Sequence, residues 1–181
     1  AAILPGPEKL LLVHGGVSTP TSEDGTPAEG SAHGSHETLN LSEPGSTWQF
    51  GPGPFPLKGH TMTALDKNLF LCGGQDDRFM AQSAVARLDV DTGAWSSPAS
   101  MPAVRRFHAA VPMGGCLYLF GGLDTDERGS PSLRSGVCLN PSLGAWGPLP
   151  DMTQGRAAPA AVVVKVKALA VRPPRVQSRA D

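Results

Sequence analysis

The apolar positions of this chain fall into short runs separated by stretches rich in glycine, proline and polar side chains. Leu10 to His14, Asn68 to Cys72 and Cys116 to Phe120 are three such runs, each nearly all apolar, and each ends in a glycine pair: Gly15-Gly16, Gly73-Gly74 and Gly121-Gly122. About five residues is the length of a strand rather than a helix, and a strand apolar on both faces is one buried between layers. The paired glycines let the backbone leave the strand through dihedral angles closed to bulkier residues. One tryptophan follows each pair, at Trp48, Trp95 and Trp146, and the chain has no others. The glycine pairs stand 58 and 48 residues apart and the tryptophans 47 and 51. A period near fifty with these markers announces stacked copies of one supersecondary unit, as in a β-propeller blade.

The middle unit shows how the pattern becomes strands. His60 to Leu65 makes a first strand and Asn68 to Cys72 a second, Gln75 to Ser83 is a polar loop, and Ala84 to Val90 alternates as a third strand. Asp91-Thr92-Gly93 is a hairpin turn, after which Ala94-Trp95 opens the fourth strand. The third unit repeats this with His108 to Pro112, Cys116 to Phe120, Ser135 to Leu139, a turn at Pro141 to Gly144, and Ala145-Trp146. In the first unit Leu10 to His14 is the second strand and Glu43 to Ser46 the turn before Thr47-Trp48. Its longer loop, Val17 to Gly34, is polar and rich in Ser, Thr, Gly and Pro, and is expected to be mobile without regular structure. A fourth unit begins, with first and second strands expected at Arg156 to Val164 and Lys165 to Val171. Where its glycine pair is due stands Val171-Arg172-Pro173-Pro174, followed by a basic tail. The expected organisation is one partial propeller over residues 1–165, with units near 8–50, 57–97 and 106–147 and a partial unit at 156–171. A disordered tail is expected at 172–181.

Charge and composition exclude more than they assign. A formal net charge of −1 gives no electrostatic reason to expect nucleic acid or an anionic membrane surface. No apolar stretch approaches the ~18–20 residues of a membrane span, and the first residues have neither a basic nor a long apolar segment of a secretory signal. Cys72, Cys116 and Cys138 form no CxxC. Because Cys72 shares its place before the glycine pair with His14 and Phe120, packing and a reducing, cytoplasmic compartment are expected.

Taken in order, the segment from Trp95 to Gly122 carries a tryptophan, Met101-Pro102, Arg105, His108-Ala-Ala-Val, Leu117-Tyr-Leu-Phe and a glycine pair. This resembles the Kelch repeat over roughly residues 8–165. The fold implied is an all-β, Kelch-type β-propeller, incomplete, with about three and a half four-stranded blades. The Pro98 to Arg106 segment after the tryptophan is most similar to Kelch-like proteins. In those, an N-terminal BTB domain binds a cullin and the propeller captures a substrate for ubiquitination. The chain contains nothing resembling a BTB or BACK domain, so a cullin would be reached only through a BTB domain absent from it. Three and a half blades leave two apolar faces open, which mark an interaction surface or an aggregation hazard. The reading is of a fragment, a truncated isoform or an incomplete gene product.

The resemblance implies partner docking on loops after the glycine pairs, at residues 17–34, 75–83 and 123–133, and on inter-blade connections at 49–58, 97–106 and 147–156. Arg105 and Arg156, four residues after Met101 and Met152, stand where the family often places a ligand-contacting arginine, whose planar fork suits carboxylates. Leu57 holds that place in the first connection. The candidate partner-binding residues are Arg78, Arg105, Arg106, Asp124, Asp126, Arg128 and Arg156. The competing reading is that the arginines bond to neighbouring blade backbone and that the charged loops are simply solvated. His33 and His36 flank Gly34-Ser35 without a third ligand, the calcium-loop spacing is absent, and His60 and His108 recur at one repeat position. No metal site or cofactor is therefore expected, and the recurring histidines read as packing or hydrogen-bonding residues. A single tyrosine, Tyr118, excludes the two-tyrosine copper site of galactose oxidase, a seven-bladed relative, and no nucleophile-elbow or phosphate-loop motif occurs. The functional expectation is a non-enzymatic protein-interaction module: the partial propeller of a ubiquitin-ligase adaptor. The alternatives are a cytoskeletal, actin-associated or scaffold Kelch protein, and a non-functional truncated isoform.

Overall fold

The computed structural model of the chain describes residues 2–3, 9–18, 30–125 and 131–164. The first blade holds β1 (Ala2–Ile3), β2 (Leu10–His14), β5 (Ser35–Asn40) and β6 (Gln49–Pro52), in that spatial order. A two-stranded ribbon, β3 (Val17–Ser18) with β4 (Ser31–Ala32), springs from it. The second blade is β7 (Thr61–Leu65), β8 (Asn68–Cys72), β9 (Val85–Asp89) and β10 (Trp95–Ser96), again in chain order across the sheet. The third is β11 (Ala109–Met113), β12 (Cys116–Phe120), β13 (Gly136–Asn140) and β14 (Ala145–Leu149). All pairings are antiparallel between chain neighbours within each blade. The ribbon corrects the expectation that Val17 to Gly34 lacks regular structure at its ends; residues 19–29 lie outside the described residues.

Strand alternation sorts each blade into two faces. In the second blade Leu69 pairs with Leu88 and Leu71 with Ala86 on one face, and Phe70 with Arg87 and Cys72 with Val85 on the other. The first set packs with Leu12 of the first blade. Phe70, Cys72 and Val85 pack with Leu117, Leu119 and Leu139 of the third. Among the described residues the middle blade is thus covered on both sides, and each outer blade on one. Val13, Trp48 and Phe50 remain exposed on the first blade, Phe50 to 76%. On the third, Cys116, Tyr118, Phe120 and Cys138 are only half-buried, so only Cys72 of the three thiols is the fully buried group that packing predicted.

The connections between blades repeat residue by residue. After the second blade, Met101 N donates to Ser83 O (2.9 Å), Arg105 N to Gln82 O (3.0 Å), Gly74 N to Arg105 O (2.8 Å) and Phe107 N to Gly59 O (2.8 Å). After the third, Met152 N donates to Arg134 O (2.9 Å), Arg156 N to Leu133 O (3.2 Å), Gly122 N to Arg156 O (2.7 Å) and Ala158 N to Phe107 O (2.7 Å). Phe107 and Ala158 even share a left-handed φ, 50° and 49°. The chain therefore leaves the third blade as it leaves the second. The strand expected at Arg156 to Val164 does not follow, because no neighbouring strand among the described residues offers it hydrogen bonds, and Pro159 takes the place of His60 and His108. Val162 and Val164 lie exposed; Lys165 to Val171 and the tail fall outside the described residues.

The recurring histidines and tryptophans work across these junctions. His14 Nδ1 and His60 Nε2 are 3.3 Å apart, and Thr61 Oγ1 is hydrogen-bonded to His108 Nε2 at 2.9 Å. Trp95 lies against His14 and His36 of the first blade, ring centroids 6.3 and 6.1 Å away. Trp146 Nε1 donates to Ala99 O at 3.0 Å.

Candidate functional site

The loops that follow the glycine pairs and the connections that enter the next blade meet at one end of the sheets. Lys58 pairs by backbone with Gln75, Gln75 with Ala81, and Arg106 with Leu123. The loop after Gly74 is held by Asp76. Its Oδ1 accepts from the backbone N–H groups of Arg78 (3.0 Å) and Met80 (2.9 Å), and its Oδ2 from Gln82 Nε2 (3.2 Å). Asp side chains favour turns because they satisfy nearby backbone donors in this way. Asp77 Oδ1 accepts from Ala32 N (2.8 Å), fastening the loop to the ribbon of the first blade. Lys58 Nζ stands 3.7 Å from Asp77 and 4.3 Å above the Phe79 ring. Gly30, Ser31, Lys58, Asp77 and Phe79 enclose a recess of about 250 Å³.

Arg106 ties the second loop to the third. Its guanidinium donates to Gln75 Oε1 and to Thr125 O (2.8 Å) and lies 5.5 Å from the Phe107 ring. Around this locked frame Phe79, Met80 and Phe107 are exposed, Phe79 to 51%. Phe79 has φ 62°, a conformation that a bulky residue adopts only where its surroundings hold it.

The structure separates the candidate residues. Arg78 and Asp124 are exposed and Arg106 half-buried on this end. Arg105 is a correction: it is 2% exposed and offers nothing to a partner on the loop end. Its backbone bonds the second blade, while its guanidinium donates to Gly121 O, Ser135 O (3.1 Å) and Ser135 Oγ (3.0 Å) of the third. The backbone-bonding reading of this arginine is the one the geometry bears out. Burial lowers its pKa from the ordinary value, with Asp124 acting in the opposite direction. Arg156 has the same backbone position after the third blade, with its side chain exposed. Asp126 and Arg128 lie outside the described residues. Lys58, Asp77, Phe79, Met80 and Phe107 were not among the candidates. The aromatic and methionine residues interrupting otherwise polar loops were the signal.

The Arg105 clamp gives a direct prediction. Arg105→Leu removes three hydrogen bonds from this junction, to Gly121 O, Ser135 O and Ser135 Oγ, and should cost about 3 kcal/mol at roughly 1 kcal/mol per lost bond. Leu57, the equivalent residue of the first connection, shares its recess with Ala84 rather than a serine. The double variant Arg105→Leu, Ser135→Ala should therefore recover part of the loss, read as urea midpoints in a double-mutant cycle. Strict additivity of the two changes would deny the clamp.

Among the described residues no three His, Cys, Asp or Glu side chains are placed to hold a metal ion, and no helix is long and apolar enough to cross a membrane. What the geometry defines is an arc of β-propeller blades whose ordered loop end presents aromatic and charged groups together. Residues 105–153 match the family model described as the Kelch motif. Kelch domain-containing protein 3 of Bos taurus is 34% identical over 74 residues, 39% of this chain and 19% of that protein. An F-box/kelch-repeat protein of Arabidopsis thaliana is 32% identical over 102 residues, 56% of this chain and 21% of that protein. The solved structure of YjhT superposes with a TM-score of 0.66 at 15% identity, over 82% of this chain and 51% of that one, a likeness of fold alone. The chain thus spans about a fifth of the length of these two curated relatives. It carries a Kelch motif and forms a partial Kelch-type propeller, a protein-interaction module.

Proposed function

We propose that the chain captures a protein partner on its loop end, in the cytoplasm and without catalysis, as the recognition arc of a cullin-based ubiquitin-ligase adaptor. The observation that carries the docking surface is the exposure of Phe79, Met80 and Phe107 beside Lys58, Asp77 and Arg106. Large apolar and cationic groups are what hot spots are made of. Here they stand on loops already held by Asp76 and Arg106, so little order has to be acquired on binding. The ligase assignment draws its support from the resemblance of the Pro98 to Arg106 segment to Kelch-like proteins.

The test is quantitative affinity purification from cells of the wild-type chain beside Phe79→Ala, Met80→Ala. Loss of about 2 kcal/mol from a hot-spot pair lowers affinity roughly thirtyfold, so a genuine partner should fall at least tenfold in yield while folding is unchanged. Equal recovery from both versions sinks the surface. Repeating the purification with the longest natural transcript product decides the ligase role, since an adaptor brings a cullin with it and a cytoskeletal Kelch protein brings filament proteins instead.

A further inference from the structure

The two faces left open among the described residues are the two halves of a junction that the chain already builds twice. The face of the third blade bearing Tyr118 and Phe120 is equivalent by register to the face of the second bearing Phe70 and Cys72, which receives Leu117 and Leu119. The face of the first blade bearing Val13 and Trp48 is equivalent to the one bearing Leu71 and Trp95, which is seated on Leu12. We propose that two copies of this chain join head to tail, the third blade of each against the first blade of the other, and so close a six-bladed ring.

The matching of side chains across junctions favours a second copy as the occupant. Where the first connection meets the second blade, Leu57 shares a recess with Ala84. Where the second meets the third, Arg105 bonds Ser135. The connection left over carries Arg156, and the receiving position left over is Ser35, whose carbonyl accepts from Gly15 N (3.2 Å) as that of Ser135 accepts from Gly121 N (3.1 Å). The apolar pair is used up inside the chain, and the unspent residues are again an arginine and a serine. Ser35 lines a recess of about 290 Å³ with Val13, Gly15, Glu37, Trp48 and Phe50. Glu37 lies across from Val13, where the other blades place Ala86 and Val137. A carboxylate on a surface to be buried needs a cationic partner, and an entering Arg156 supplies one.

The geometry of the connection agrees. Residues 152–158 already repeat the hydrogen bonds that seat a following blade. By the same repeat, Trp48 Nε1 of one copy would donate to the carbonyl of Pro150 in the other, as Trp146 does to Ala99 within the chain. Head-to-tail contacts form rings when the rotation closes and filaments when it does not. This arc superposes on 51% of the YjhT chain, so two arcs make one such chain.

Sedimentation equilibrium of the full chain tests the proposal. A mass of twice 18.8 kDa is expected. Trp48→Asp and Arg156→Glu should each give monomers with an unchanged far-ultraviolet spectrum, since both side chains are exposed. Ser35→Ala should weaken association about tenfold, a second readout that does not depend on a charge change. Mixing the Trp48 and Arg156 variants should restore part of the dimer, because one junction then combines two intact faces. Monomers at every concentration, open polymers, or a dimer lost with Trp48→Asp but indifferent to Arg156→Glu would each overturn it.

Discussion

Gly73→Ala is expected to cost about 4 kcal/mol, whereas Gly93→Ala should cost only about 1–2 kcal/mol, although both glycines have left-handed φ angles, 59° and 70°. The smaller figure is the ordinary penalty for an L-residue in that region. Gly93 sits at a hairpin tip where a Cβ would meet nothing within 4 Å. At Gly73 a Cβ would press into the carbonyl oxygen of Arg105 and lie 2.8 Å from Met101 Cε. A backbone carbonyl cannot rotate away as a side chain can. The connection must shift, and with it the Gly74 N to Arg105 O bond and the Arg105 clamp. The repeat makes the prediction general: a Cβ would lie 2.6 Å from Leu57 O at Gly15 and 2.5 Å from Arg156 O at Gly121. Urea unfolding of the two variants at one pH decides it. Equal losses would mean that the first glycine of each pair is retained for its dihedral freedom alone.

The second large effect is acid lability. Burial, with smaller contributions from His60 and His36, holds His14 down at about 4. Burial likewise holds His60 at about 4, and burial with the neighbouring Arg105 charge holds His108 at about 3. Unfolded, each titrates near 6.5, so the unfolded chain binds more protons below that pH. Stability should be at its full value above about pH 6.5 and fall as pH drops toward 4, with His108 extending the loss toward 3. Each imidazole withheld from protonation costs about 1.4 kcal/mol per pH unit inside that window, hence about 2 kcal/mol each at pH 5. Three together approach the whole stability of an ordinary domain, ~5–15 kcal/mol. Protonation also turns both partners of the His14–His60 contact into donors. Urea midpoints from pH 7.5 to 4.5 should decline steeply. His14→Phe, which installs the residue that Phe120 supplies at the same repeat position, should flatten the curve; a midpoint independent of pH would show that the junctions tolerate the charges.

The parts legible in the sequence were those governed by local chemistry. β8 and β12 have the bounds expected for them, Asn68–Cys72 and Cys116–Phe120, because a run apolar on both faces that stops at paired glycines allows one reading. β1 escaped notice because two residues, Ala2–Ile3, carry no periodicity; they pair only because Leu11 and Leu12 stand opposite. Arg105 reads in the sequence either as a partner-contacting arginine or as one bonded to neighbouring blade backbone, and local chemistry does not choose between them. It is buried by Gly121 and Ser135, 16 and 30 residues onward. Phe79 falls in a stretch that reads only as a polar loop, and it is Asp76 and Lys58 that hold this loop with the ring standing in solvent.

The period of apolar runs, the glycine pairs and the turn residues determined the strands, the blades and the Kelch architecture, because strand length and backbone dihedral preference act within a few residues. Which arginine is spent on the neighbouring blade, which histidines lose their charge, which faces stay open and which aromatics reach the surface were decided only by the packing of one blade on the next. Those outcomes depend on groups 16 to 47 residues apart, and the energy of burying or pairing a group exists only once both sides of the junction are in place.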